Sequence, residues 1–249
     1  MAPFKRTKQM NFFVYVDTVV FTINPNRDVE PRDRLEVLVM KRPEGKAGKW
    51  ALPGGLVGEN EKLTDTSIRK VGEETGLQLK TSDLHHVGAY GDPDRDDRFR
   101  AIAIAYMALV PHPEQLKPAF NSDEASFIPY RRLRDKRLLE FDHTNIIYDA
   151  RKAARQMLED TNVALIFCNP KFTISELRGV YESFLQYKVD PANFRRKVDA
   201  VDGLVVPIDE LSDFGSLPGR PAQMYKAGRT TTLSSPIRFR RTAETKPRR

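Results

Sequence analysis

The sequence predicts an α/β layered domain over residues 9–142, followed by a smaller helical module with a strand-turn-strand end. Three observations carry this. Strand-like runs rich in Val, Ile, Phe and Thr flank one helical stretch in the first half. A long helical pattern free of Gly and Pro follows at 143–158. Beyond it, two short capped helices precede a turn-rich segment.

Taken in order, Phe12 to Asn24 reads as a strand and Leu35 to Met40 as a second. Pro25 to Arg34, with two prolines and several charges, reads as the loop between them. Leu63 to Glu74 is helical and stops at Gly76; Ala101 to Val110 is a third strand. His143 to Leu158 has apolar residues at helical spacing and is expected to leave the first domain as a linker helix, 143–160. Thr173 to Gln186 opens with a capping box, Thr173 to Glu176. Asp190 to Val201 opens with an Asp cap and Pro191 at the first helical position. Pro218 to Tyr225 reads as a turn between short strands, so the second module spans 161–228.

The 249 residues are 40% hydrophobic and 30% charged, an ordinary globular balance. No apolar run approaches the roughly 20 residues that span a bilayer, so no membrane partner is expected. The N-terminal stretch is basic and then apolar, but Asp17 interrupts it and no small-residue cleavage site follows, which argues against a signal peptide. A single cysteine, Cys168, cannot form an intramolecular disulfide and fits a reducing cytoplasm. Six of the seven net positive charges lie in Gly228 to Arg249, which holds seven Arg/Lys and one Glu. The body is therefore near neutral. The tail, 229–249, is expected to be disordered: either a solvated terminus or an arm that tracks phosphates.

The stretch Gly55 to Leu77 reads GLVGENEKLTDTSIRKVGEETGL. Gly55, Glu61, Arg69, Val71, Glu73, Glu74, Gly76 and Leu77 fall on the pattern G-x5-E-x7-R-E-U-x-E-E-x-G-U, where U is bulky and apolar. Eight matches in 23 positions resemble the Nudix box. On a helix, positions 70, 73 and 74 share one face. Three carboxylates there would hold Mg²⁺ or Mn²⁺ against a diphosphate, which is the role the family implies. Here one of the three is Lys70. An ammonium cannot ligate a cation unless deprotonated, and it would pair with Glu73 and Glu74 instead. Glu61 and Arg69 are expected to form a structural pair. No catalytic residue is therefore expected, no cofactor is required, and Glu73 and Glu74 would hold Mg²⁺ only weakly. Alternatively, Asp92 or Glu124 could replace the missing ligand.

Downstream, Gly88 to Arg98 resembles G-x-Y-G-D-P-x-R-D-x-R, a signature of Nudix proteins that handle ADP-ribose. Arg95, Arg98 and Arg100 offer forked donors suited to a diphosphate or a ribose edge. With Lys41, Gly55, Tyr90 and Asp92 they make up the expected ligand-binding set. A charged exposed hairpin is the plainer alternative.

In the second module, Asn193, Arg195, Arg196 and Lys197 lie on the second helix, while Phe194, Val198 and Val201 would pack on the first. A capped helix, a short turn and a basic helix resemble a helix-turn-helix, although such pairs are more often packed helical hairpins. The stretches 172–182, 193–197 and 219–222 together look like the winged-helix region of Nudix-related transcriptional regulators, the NrtR family. That resemblance implies a Nudix α/β/α sandwich followed by a C-terminal winged helix-turn-helix. It implies a homodimer on palindromic double-stranded operator DNA, contacted by Thr173, Asn193, Arg195, Arg196, Lys197 and Arg220 at the wing tip. It also implies repression of NAD-metabolism genes under control of ADP-ribose or a related nucleotide. The rival readings are an active ADP-ribose or nucleoside-diphosphate hydrolase with an accessory helical domain, and a metabolite-binding scaffold.

Overall fold

A computed structural model describes residues 11–41, 49–113, 124–211 and 221–240. Its first sheet is built on β1 (Phe13–Ile23), whose β-branched and aromatic residues suit a strand buried on both faces. β1 runs parallel to β5 (Ala101–Leu109), from Phe13 opposite Ala101 to Phe21 opposite Leu109. Its other edge is divided: β2 (Leu35–Lys41) pairs antiparallel at residues 21–23, and β3 (Gly54–Leu56) pairs antiparallel at residues 15–17. With β4 (His85–Tyr90) and β6 (Glu124–Pro129) at the edges, the strand order is β4-β5-β1-β2-β6.

The two-residue period of β1 sorts its side chains between two helices. Val20 joins Val71 of α1 (Leu63–Thr75) in a small core, and the Thr18 and Ser67 hydroxyls share a 2.7 Å hydrogen bond. Val19 and Phe21 face the other way, into the main core with Ile146, Ile147, Ala150 and Leu158 of α2 (His143–Asp160). The sheet is thus covered by a helix on each face. Gly76 ends α1 with φ 75°, a left-handed position that costs glycine no Cβ clash.

The second module follows through β7 (Phe172–Thr173), α3 (Ile174–Leu185), α4 (Pro191–Asp199), β8 (Val205–Leu211) and β9 (Gln223–Ala227). Both predicted caps form: Thr173 Oγ1 accepts from Glu176 N, and Asp190 Oδ1 accepts from Asn193 N. Phe194 and Val198 are fully buried, with the Phe194 ring 5.2 Å from that of Tyr181 on α3. β7, β9 and β8 form a three-stranded wing.

No extended linker separates the modules. One apolar core runs from Val19 and Leu35 through α2 to Tyr181, Phe184 and Phe194. The β1–β2 loop docks on α3, where Ser183 Oγ donates to the Pro31 carbonyl at 2.6 Å and Gln186 Nε2 to the Arg32 carbonyl at 2.8 Å.

The expectation of a disordered tail from 229 is corrected for residues 229–240. Leu233, Ile237 and Phe239 are buried. Ile237 N donates to the Glu159 carbonyl and Leu233 N to the Asp160 carbonyl, both at 2.9 Å. Three apolar residues in a polar stretch suffice to anchor it, because all three join the main core and Phe239 packs on Tyr181 of α3 and Phe194 of α4. Residues 241–249 lie outside the described residues, as does Arg220. Among the described residues, no helix is long and apolar enough to cross a membrane.

Candidate ligand cleft and nucleic-acid interface

The α1 face carries the box. Arg69 clasps Glu61 through Nε to Oε1 at 2.6 Å and Nη2 to Oε2 at 2.7 Å, the expected loop-to-helix pair. That fork, with the Thr66 hydroxyl, lowers the Glu61 carboxyl to about 2. Arg69 Nη1 also reaches Glu73 at 3.1 Å.

Lys70 Nζ lies 3.4 Å from Glu73 Oε2 and 4.0 Å from Glu74 Oε1. Its stem covers Gly55 so closely that a Cβ there would sit 2.5 Å from Lys70 Cε. Glu74 Oε2 accepts from Gly54 N at 3.0 Å. Both expected metal carboxylates are therefore already held by cations and a backbone N–H of this chain. A divalent cation would have to compete with Lys70 and Arg69 for Glu73 and with Gly54 N for Glu74. Among the described residues, no group of three His, Cys, Asp or Glu is arranged to hold one.

A cleft of about 450 Å³ opens beside the 91–98 loop, lined by Lys49, Asp92, Asp94, Arg98, Lys136, Phe141 and Asn145 among others. An adjoining recess of about 410 Å³ shares Asp92 and Asn145 and adds Tyr90 and Tyr148. These volumes suit a small molecule. Tyr90 Oη donates to Asp149 Oδ2 at 3.1 Å, and burial beside that carboxylate pushes the phenol pKa up. Arg98 forks onto Asp96 and lies over the Phe99 and Phe141 rings. Arg100 donates to the Asp92 carbonyl at 3.1 Å, and Lys41 lies over the Trp50 ring.

Arg95 lines the cleft, as does Asp142, but its guanidinium is already engaged. Its side chain is 4% exposed and turns inward onto Asp142 and Asp17. Burial would raise the Asp17 carboxyl, but His143 and Arg95 beside it outweigh that and hold it below the usual carboxylate range. As site residues the sequence singles out neither Asp142, which lines the cleft, nor the buried Asp17 and His143 that complete its charge cluster. The signal in the sequence is Asp17, a lone carboxylate in an apolar strand.

On the second module, α4 exposes Arg195 and Arg196, while Asn193 and Lys197 are half-buried. Arg195 pairs with Asp199 at 2.8 Å and donates to the Tyr225 hydroxyl at 2.6 Å, which links the helix to β9 of the wing. Arg196 Nη2 donates to Asn193 Oδ1 at 2.8 Å, and Lys197 Nζ lies over the Phe239 ring. Thr173 spends its hydroxyl on the α3 cap, so its expected DNA contact competes with a helix start. Tyr225 and Phe239 are the neighbours of this surface that the sequence reading did not single out.

The fold and the two surfaces define a class: a two-helix-flanked α/β domain with a small-molecule cleft, joined to a winged helix. The chain belongs to the Nudix family, whose domain model matches residues 18–149; the NrtR DNA-binding winged helix domain matches residues 166–227. Across 229 residues, 91% of this chain and 86% of the relative, it is 25% identical to the ADPR responsive transcriptional repressor NtrR of Acinetobacter baylyi. Its Nudix half is 36% identical over 118 residues to an ADP-ribose pyrophosphatase of Methanocaldococcus jannaschii, covering 47% of this chain and 66% of that one. Among solved structures, Shewanella oneidensis NrtR complexed with a 27mer DNA superposes with a TM-score of 0.69 at 25% identity, covering 90% of this chain and 99% of that one.

Proposed function

We propose that this chain is a transcriptional repressor that binds operator DNA through α4 and the wing and responds to ADP-ribose bound in the Nudix cleft. The observation that carries it is a single likeness to an ADPR responsive repressor running through both domains. The geometry supports it at each end. The α4 helix presents Asn and Arg side chains suited to phosphates and base edges. The cleft beside Asp92 and Arg98 has room for a nucleotide moiety. A homodimer would place two α4 helices on major-groove half-sites about 34 Å apart. NAD-metabolism genes are the targets this reading implies.

Hydrolysis is the rival, because the chain also resembles a pyrophosphatase over its Nudix half. Lys70 beside Glu73 and Glu74 favours a pocket that binds without cleaving, since a positive charge stands where a metal would neutralise the diphosphate. Such a pocket reports its ligand without consuming it. The test is a gel shift on the chain's own upstream DNA, with and without ADP-ribose, alongside an assay for AMP with Mg²⁺ or Mn²⁺. We expect a specific complex whose affinity changes with ADP-ribose, and negligible AMP. Robust turnover with no specific complex would replace the repressor by the hydrolase.

A further inference from the structure

Arg95 and Asp142 both line the cleft, yet the Arg95 guanidinium is 4% exposed and committed to two carboxylates. Nε donates to Asp142 Oδ2 at 3.2 Å and Nη2 to Asp142 Oδ1 at 2.8 Å. Nη2 also reaches Asp17 Oδ2, on β1, at 3.1 Å. Asp142 is the residue on which α2 begins, and its carbonyl accepts from Asn145 N and Ile146 N. The next residue, His143, points Nε2 at the same Asp17 carboxylate from 3.6 Å, while its Nδ1 accepts from Leu52 N at 3.0 Å. The cleft loop, the central strand and the approach to β3 therefore meet at the first turn of α2.

The far end of α2 is fixed just as firmly. Tyr181 Oη donates to the Leu158 carbonyl at 2.8 Å, and Arg151 Nη1 donates to the Phe184 carbonyl at 2.5 Å. Both partners lie on α3, which packs on α4. Eighteen residues of helix, about 27 Å, join the two ends.

We infer that Arg95 is a positioning residue that ties the cleft loop to the start of α2, so that occupancy of the cleft biases the placement of the winged helix. This rests on the repressor reading above. The physical reason is the cost of separating the fork. A buried guanidinium shared by two carboxylates cannot release either without leaving an uncompensated charge. A ligand that shifts the loop through its Asp92 and Arg98 face therefore carries Asp142 with it, and a helix is stiff enough to pass the displacement on.

The test uses the full chain and a fluorescent duplex from its upstream region. Operator Kd is measured with and without ADP-ribose, at a concentration shown to saturate each variant by direct titration. The wild-type ratio should be about fivefold or more. In Arg95→Lys, which keeps the charge but loses the fork, the ratio should fall to within about twofold of one, while operator binding without ligand persists. Asp142→Asn, nearly isosteric, should do the same and serves if Arg95→Lys fails to fold. An unchanged ratio in the folded variants overturns the tie and leaves the repressor reading standing. Loss of ADP-ribose binding in Arg95→Lys overturns it too, because Arg95 would then be a ligand contact. A wild-type ratio of one removes both readings together.

Discussion

Lys70 alters the α1 face through charge as well as geometry. Replacing a carboxylate by an ammonium changes the local charge by two, and the stem of Lys70 fills the space above Gly55. At about 4 Å a charge pair is worth roughly 1 kcal/mol in water and about 4 kcal/mol at an effective dielectric of about 20, so the exchange bears on cation affinity. Lys70→Glu would place three carboxylates at positions 70, 73 and 74 and remove one of the two cations, Lys70 and Arg69, that now pair with Glu73 and Glu74. We expect Mn²⁺ affinity, read by titration calorimetry, to rise at least about tenfold. ADP-ribose cleavage should become detectable above wild type. If the variant folds and binds Mn²⁺ no better than wild type, the missing ligand is not what limits this site.

At the scale of elements, the segment 229–240 acts as a strap. The Phe239 ring stacks on Phe194 of α4 at 5.7 Å and meets Tyr181 of α3 edge-on at 6.3 Å. The Tyr187 hydroxyl donates to the Phe239 carbonyl at 2.8 Å, and Arg238 pairs with Asp160 at the end of α2. Phe239→Ala should destabilise the chain by about 3 kcal/mol, measured by urea unfolding. It should also loosen α4, seen as faster amide exchange across 191–199. A cost below about 1 kcal/mol would show that the strap merely lies on the surface. The strap also shows where the sequence was hard to read. Elements with strong periodicity or caps were legible: β1, β2, β5, all of α1 to α4, and the Glu61–Arg69 pair. β4 was not, because HHVGAY is short, carries a glycine and shifts register between His86 and Gly88. Phe239 was not, because an isolated aromatic in a basic stretch gains meaning only from the pocket that α2, α3 and α4 build together. Arg95 was legible as an arginine in a ligand signature, but its inward turn depended on Asp17 and Asp142, far away in sequence.

At the scale of the whole molecule, the shared core decides how the two modules can behave. Chains of 249 residues commonly unfold in stages, one domain after another. Here α2 belongs to both modules at once: Ile146 and Ile147 pack under the sheet while Leu158 joins the core that also holds Phe184 and Phe194. The Phe21 ring of β1 itself meets Phe184 of α3 at 5.8 Å. Separating the modules would expose both faces of that contact, so neither should melt alone. We expect a single calorimetric transition whose van't Hoff and calorimetric enthalpies agree. ADP-ribose at about 100 times its Kd should shift that whole transition upward by the equivalent of about 2.7 kcal/mol. Two resolved transitions, with ADP-ribose moving only one, would mean that the modules are energetically separate. The cleft could then influence α4 only through rigid-body geometry. A single moving transition would mean that ligand in the cleft stabilises the packing on which α4 rests.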